Sequence, residues 1–320
     1  MDLSTTKILV TGAAGFIGSS LVESLISKNC DVIGFDNFNP YYQGKEKNIL
    51  SFKSHQNFTM ITGDILDLEL LQNTMKETKI VFHLAAQPGV RYSLEHPTIT
   101  NKINTEGTLN VLLAAKNSKV KKIVNASSSS VYGNPEYTPV DEAHPLNPIS
   151  MYGISKLAAE KYCSIFSKTF DLKITSLRYH TVYGPKGRPD MAVFKWIDAL
   201  FRNQPIRLFG DGTQQRDMTY IDDIVSGTIK AAESDQSDGE IFNLAAGRVV
   251  SMNYVISQLH QITGHEPNII FEEKKAGDVD MTSGNIDKAK EKLNYEPKIL
   301  IEKGLQKTVD WYKKTFSVPT

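Results

Sequence analysis

Residues 10–18 read VTGAAGFIG, with Gly12, Gly15 and Gly18 directly behind the apolar run that starts at Lys7. Glycine lets a chain turn sharply out of a strand. It also lets an anion approach the N-terminus of the following helix, where backbone N–H groups have no partner of their own. A tight strand-to-helix turn alone would use the same residues, so the next strand matters. CDVIGFD (30–36) ends in Asp36, 24 residues after Gly12. A carboxylate there accepts hydrogen bonds from ribose hydroxyls and repels a 2′-phosphate, so NAD is expected over NADP. The competing reading of Asp36 is a turn cap. Asp64, in TGDI after the third strand, is placed either to reach the adenine or to cap a helix.

Outward from this loop, short β-branched runs alternate with helical patterns. KILVTG (7–12), CDVIGFD (30–36), NFTMITGD (57–64), IVFHLAA (80–86), KKIVNAS (121–127) and LKITSLRY (172–179) read as strands, separated by helical stretches near 15–28, 67–77, 98–117 and 151–170. Near-continuous apolar strands suit a parallel sheet covered on both faces, and the alternation implies right-handed crossovers. The fold class expected is α/β: a doubly wound, Rossmann-type parallel sheet with a smaller α/β C-terminal lobe for the substrate. After residue 180 the pattern loosens. A loop at 184–191 leads to helices near 192–202, 222–233, 251–263, 285–293 and 301–315, with strands in 205–218 and near 240–244 and 268–272. The domain reading is 1–179 with about 219–244 for the dinucleotide, and a discontinuous lobe of 180–218 and 245–320.

Composition narrows the function classes. Lys+Arg and Asp+Glu both total 36, so no global field attracts nucleic acid or an anionic membrane, and an anionic ligand needs a local site. The most apolar window, 7–26, is interrupted by glycines and Glu23, which argues against a membrane span. Cys30 and Cys163 read as small core residues of a reducing compartment. The seven histidines lack metal-ligand spacing, so no metal is expected. With no cleavable leader pattern at the start, a cytoplasmic protein is the expectation.

MYGISK (151–156) sets Tyr152 and Lys156 four apart, on one face of a helix. A free phenol, with a pKa near ~10, is a poor base at neutral pH. A lysine ammonium and a nicotinamide cation beside it would lower that value, and such a pair removes the proton of an alcohol while hydride leaves the same carbon. Upstream, NASSSSVYGN (125–134) spends four hydroxyls, Ser127 to Ser130, where a buried strand should end. Side chains alternate along a strand, so Ser128 and Ser130 should share one side and Ser127 and Ser129 the other. One pair would look into the crevice at the strand ends. A polar exit from the strand explains the rest.

TGAAGFIG, SSSSVYG and YGISK together resemble the extended short-chain dehydrogenase/reductase family, and within it the nucleotide-sugar enzymes, from about residue 6 to 315. The resemblance implies a tightly bound NAD that is regenerated each turnover, a UDP-sugar substrate, and a homodimer built on the helices at 98–117 and 151–170. Uridine as the base rests on the resemblance alone. By position it implies catalytic roles for Tyr152, Lys156, Ser128 and Ser130. The implied cofactor set is Gly12, Gly15, Phe16, Ile17, Gly18, Asp36, Asn37, Asp64, Ile65, Leu84, Ala85 and Ala86, with Tyr152 and Lys156. The implied substrate set is Arg91, Ser128, Ser129, Tyr179, Thr181, Arg188, Arg216 and Asp278.

Dehydratases of the family are similar at this strand but carry an acid pair there, and decarboxylases keep one glutamate; this chain has Ser129 and Ser130. Elimination needs an acid and a base beyond the tyrosine. Simple redox at one carbon, a 4-epimerisation, is therefore expected. DNFNPYY (36–42), AAQPGVRYS (85–93) and RYHTVYGPKGRPDM (178–191) are similar to the branch that handles a uronic acid sugar, with Arg188 and Thr181 against the sugar's carboxylate. A phosphate contact or a solvated loop charge is the competing reading of Arg188. His180 stands where the family leads one to expect phenylalanine, and Lys275 where it leads one to expect arginine. A glucose/galactose-type epimerase, a uronate decarboxylase and a non-catalytic NAD sensor stay open as alternatives.

Overall fold

The computed structural model describes residues 3–273, 279 and 281–317. Six strands are β1 (Lys7–Thr11), β2 (Asp31–Asp36), β3 (Phe58–Thr62), β4 (Ile80–His83), β5 (Lys122–Ser128) and β6 (Lys173–Tyr179). With the strand Ile241–Leu244 they form a seven-stranded sheet in the order β3, β2, β1, β4, β5, β6, Ile241–Leu244. All six pairings are parallel. Strand order reverses between β1 and β4, and ligands of doubly wound sheets bind at the carboxyl ends beside such a switch point.

Both faces of the sheet are covered. On β1, Ile8 and Val10 join one apolar cluster while Leu9 joins the other, and the alternation repeats through β4 and β5. This is why the strands read as unbroken apolar runs. Neither Cys30 nor Cys163 is in a disulfide, and both are buried in these clusters.

Beyond Tyr179 the chain builds a second layer. Strand Gln215–Tyr220 pairs in parallel with Thr181–Tyr183 and Met281–Thr282 and antiparallel with Val249–Ser251, while Ile206–Phe209 pairs in parallel with Ile269–Glu272. The sequence pattern misses the three-residue strands, because an element that short carries no readable period. It also misses the helices Lys45–Ile49 and Val90–Glu95, and the latter carries Arg91. No helix among the described residues is long and apolar enough to cross a membrane.

Candidate functional site

The first turn shows why its glycines are required. Gly12 leaves β1 with φ +72°, and a Cβ there would lie 2.8 Å from Ala85 N. A Cβ on Gly18 would lie 2.0 Å from Gly12 O. The backbone of the turn therefore packs directly on its own helix, Phe16–Ser27, and on the end of β4. That helix begins at Gly15 with no side-chain cap and no acidic residue in its first turn, leaving its N–H groups directed at the cleft. An uncapped, uncharged helix start beside a crowded glycine turn suits a pyrophosphate.

One cleft, of about 1080 Å³ with the open solvent at its mouth included, runs along the ends of β1, β2, β4 and β5. Every residue of the expected cofactor set lines it: Gly12, Gly15, Phe16, Ile17, Gly18, Asp36, Asn37, Asp64, Ile65, Leu84, Ala85, Ala86, Tyr152 and Lys156. Asp36 combines both readings of the sequence. It lines the cleft, and its two carboxylate oxygens accept the N–H groups of Ala14 at 3.1 Å and Phe38 at 2.8 Å. Asp64 accepts from Leu66 N at 2.9 Å and from the Asn37 amide at 2.8 Å. The cap of the next helix is Asp67 instead, which accepts from Leu70 N at 2.9 Å. These features fit a dinucleotide whose ribose hydroxyls meet Asp36.

Tyr152 and Lys156 enter the cleft from the helix Met151–Phe170. Ser150 caps that helix through Gly153 N at 3.0 Å, and Ser93, from the Arg91 helix, takes the Tyr152 N–H at 3.0 Å. Burial pushes the Tyr152 phenol above its ordinary pKa, while the Arg188 guanidinium and a hydrogen bond with Ser128 pull it back down. Of the surrounding charges, the Arg188 guanidinium acts most strongly on the phenol. Burial lowers Lys156 itself to about 8, against the opposing pulls of Cys163 and Glu160.

The serine run departs from strand alternation. β5 ends at Ser128, and Ser129–Val131 form a 3₁₀ turn. Ser128 and Ser130 still meet, with hydroxyls 3.1 Å apart, because Ser128 Oγ caps the turn by accepting Ser130 N at 3.1 Å. Of the four, Ser127 is the one that lines the cleft, and its hydroxyl donates to Glu160, which also receives Arg178 Nε at 2.9 Å and Nη2 at 2.8 Å. Sequence reasoning missed Glu160, although its spacing of four from Lys156 puts it on the face that Tyr152 and Lys156 share. It also missed Asn104, in a π-helical turn at Lys102–Glu106. Asn104 holds Gln87 N at 2.7 Å and donates to Ser155 Oγ at 2.9 Å, joining the cleft wall to the tyrosine helix. Amphipathic periodicity gives no signal for a π-turn.

A second cleft adjoins the first across Phe16, which lines both. It holds Arg91, Thr181 and Arg216 from the expected substrate set, with Asp190 and the apolar side chains of Trp196 and Phe209. Arg91 lies over the Phe209 ring at 4.2 Å. Arg188 and Tyr179 line the first cleft. The Tyr179 hydroxyl is spent on Thr228 Oγ1 at 2.9 Å, so the cleft meets its ring. Ser129 lies in the 3₁₀ turn, and Asp278 and Lys275 fall outside the described residues.

Comparison with known proteins agrees with this geometry. The model of the NAD dependent epimerase/dehydratase family matches residues 8–245. The chain is 40% identical to the UDP-glucuronate 4-epimerase of Thermodesulfobacterium geofontis, over 97% of each chain. Among solved structures it superposes on the UDP-glucuronic acid 4-epimerase of Bacillus cereus, in complex with UDP-glucuronic acid and NAD, with a TM-score of 0.92 and 38% identity, covering 97% of this chain and 99% of that one. It also matches the UDP-glucose 4-epimerase of Thermotoga maritima with UDP-glucose, at a TM-score of 0.90 and 36% identity with the same coverage.

Proposed function

Because the chain belongs to the NAD dependent epimerase/dehydratase family, we propose that it interconverts UDP-glucuronate and UDP-galacturonate by inverting C4 of the sugar. The observation that carries this reading is that Tyr152 and Arg188 line one cleft, where the Arg188 charge and a hydrogen bond with Ser128 both act on the phenol. The Gly12–Gly18 turn, Asp36 and Lys156 would hold NAD, which would supply a reversible hydride acceptor for C4 and a positive ring that would favour the Tyr152 phenolate.

Tyr152 takes the proton of the 4-hydroxyl and later gives it back, while Ser128 orients that hydroxyl. Arg91 and Arg216 face the diphosphate, with Asp278 assigned to the ribose, so the 4-keto sugar turns about its diphosphate link and offers its other face. Arg188 and Thr181 hold the sugar carboxylate. The serine run offers no carboxylate for elimination, and Glu160, the acid that touches it, is committed to Arg178. One observation favours a neutral hexose as the alternative substrate: Arg188 is already paired with Asp190.

The same reading includes the lobes at 1–179 with about 219–244 and at 180–218 with 245–320, a cytoplasmic location and a homodimer. Met151, Ile154, Tyr162 and Ile165 are exposed on the outer face of the tyrosine helix, with Ile99 exposed on the neighbouring one, which supports a dimer of paired helices. Sedimentation of Ile154→Lys should give a monomer where the parent protein sediments as a dimer. The function itself is tested by proton NMR of purified protein with UDP-glucuronate and no added cofactor. UDP-galacturonate is the expected product; conversion of UDP-glucose with UDP-glucuronate untouched would replace the uronate reading by the neutral one.

A further inference from the structure

Asp190 meets only one edge of Arg188. Its carboxylate accepts from Nε at 2.9 Å and from Nη2 at 2.7 Å. A guanidinium presents two bidentate edges, a side edge of Nε with Nη2 and an end edge of Nη1 with Nη2. Taking the side edge leaves both Nη1 protons and one Nη2 proton for a second carboxylate. Asp190 is itself held, since the Tyr41 hydroxyl donates to its Oδ2 at 3.0 Å. Tyr41 is fixed in turn by an edge contact with Tyr92, ring centres 4.9 Å apart, and the Arg188 guanidinium lies 5.9 Å from the Tyr41 ring centre. Arg188 lines the cleft that holds Tyr152, whereas Asp190 lines the neighbouring one.

We propose that Asp190, fixed by Tyr41, is a positioning residue: it holds the side edge of Arg188 so that the end edge meets the sugar carboxylate in one orientation. The inference rests on the reading of Arg188 in the proposed function and deepens it. Orientation matters because the 4-keto uronate is a β-keto acid. When its C5–C6 bond aligns with the carbonyl π system, that bond breaks and its electron pair forms the C4–C5 enolate. Carbon dioxide leaves and a solvent proton adds at C5. The hydride that C4 gave up then returns to it, and the product is a UDP-pentose. A guanidinium held on its other edge keeps the carboxylate out of that alignment.

The test compares Asp190→Asn, Tyr41→Phe and Arg188→Ala on UDP-glucuronate. The readouts are the ratio of pentose to epimer by NMR, kcat and KM separately, and the melting temperature. In Asp190→Asn the pentose share should rise roughly tenfold while KM moves less than in Arg188→Ala. Tyr41→Phe, which removes only the hydrogen bond to Asp190, should shift the ratio in the same direction by less. An unchanged ratio in Asp190→Asn, with Arg188→Ala still releasing pentose, would overturn the positioning role and leave the proposed function standing. A lower melting temperature and kcat at constant ratio would likewise reduce Asp190 to a structural contact. Parent protein that fails to turn over UDP-glucuronate would instead overturn the function on which the inference rests.

Discussion

Tyr152 sits where two demands on a phenol conflict. Its cleft must exclude water for hydride to move, and that burial raises the pKa a base needs lowered. Two groups oppose the rise from different elements: Ser128 at the end of β5 and Arg188 in the 184–191 loop. Lys156, one helical turn further on, has its own charge weakened to a pKa of about 8, so its ammonium is titratable just above neutral pH. Replacing Tyr152 by Phe keeps the ring and removes the proton acceptor. Turnover should fall by about 10²–10⁴-fold, with NAD still released on denaturing the purified variant. Activity within a factor of three of the parent would mean that another group takes the proton. Ser128→Ala should cost less, since Arg188 still acts on the phenol.

At the scale of elements, β5, β6 and the tyrosine helix are joined by one buried ion pair. Arg178 and Glu160 share two hydrogen bonds and are about 1% and 2% exposed, and Arg178 Nη1 continues to the Tyr132 hydroxyl at 3.0 Å. Ser127 hangs from the same carboxylate, so the pair fixes where the serine run leaves its strand. Glu160→Gln leaves a buried guanidinium without its counter-charge and should cost about 3 kcal/mol in chemical unfolding. The double variant Glu160→Gln/Arg178→Met removes the orphaned charge and should recover part of that loss; equal or greater destabilisation in the double variant would rule the account out. This joint also marks where the sequence stopped being legible. The glycine turn, Asp36 and the Tyr152/Lys156 spacing could be read because each is a local pattern with one physical cause. Ser127 could not be assigned, because its partner lies 33 residues away and strand alternation ends one residue later. Asp190 was missed for a related reason: its role depends on Tyr41, 149 residues away. The large strands, by contrast, declared themselves through burial on both faces.

Across the whole molecule, two buried imidazoles make stability depend on pH. His83 lies between Thr11 Oγ1 at 2.8 Å and Thr108 Oγ1 at 3.0 Å, and burial pushes its pKa down to about 3. His180 is about 2% exposed, and among the described residues neither ring nitrogen finds a hydrogen-bond partner. The Asn243 amide beside it is already spent on Val140 O and Asn285 O and accepts from Tyr132. Burial pushes His180 down to about 4, and the Arg178 charge adds to the fall. Both folded pKa values lie below the unfolded value, so both contributions are full above pH 6.5. As pH falls, the unfolded chain takes up protons that the folded chain refuses, and stability declines until the folded pKa is reached. Between pH 7.5 and 5, His180 alone should cost roughly 2 kcal/mol. Phenylalanine at this position has a similar ring and no nitrogen to satisfy, so His180→Phe should be neutral or stabilising at pH 7.5. Urea midpoints at the two pH values separate the terms: the parent should lose more stability on acidification than His180→Phe, by the share that His180 contributes. Equal losses in the two proteins would show that His180 exchanges protons in the folded state as readily as in the unfolded one.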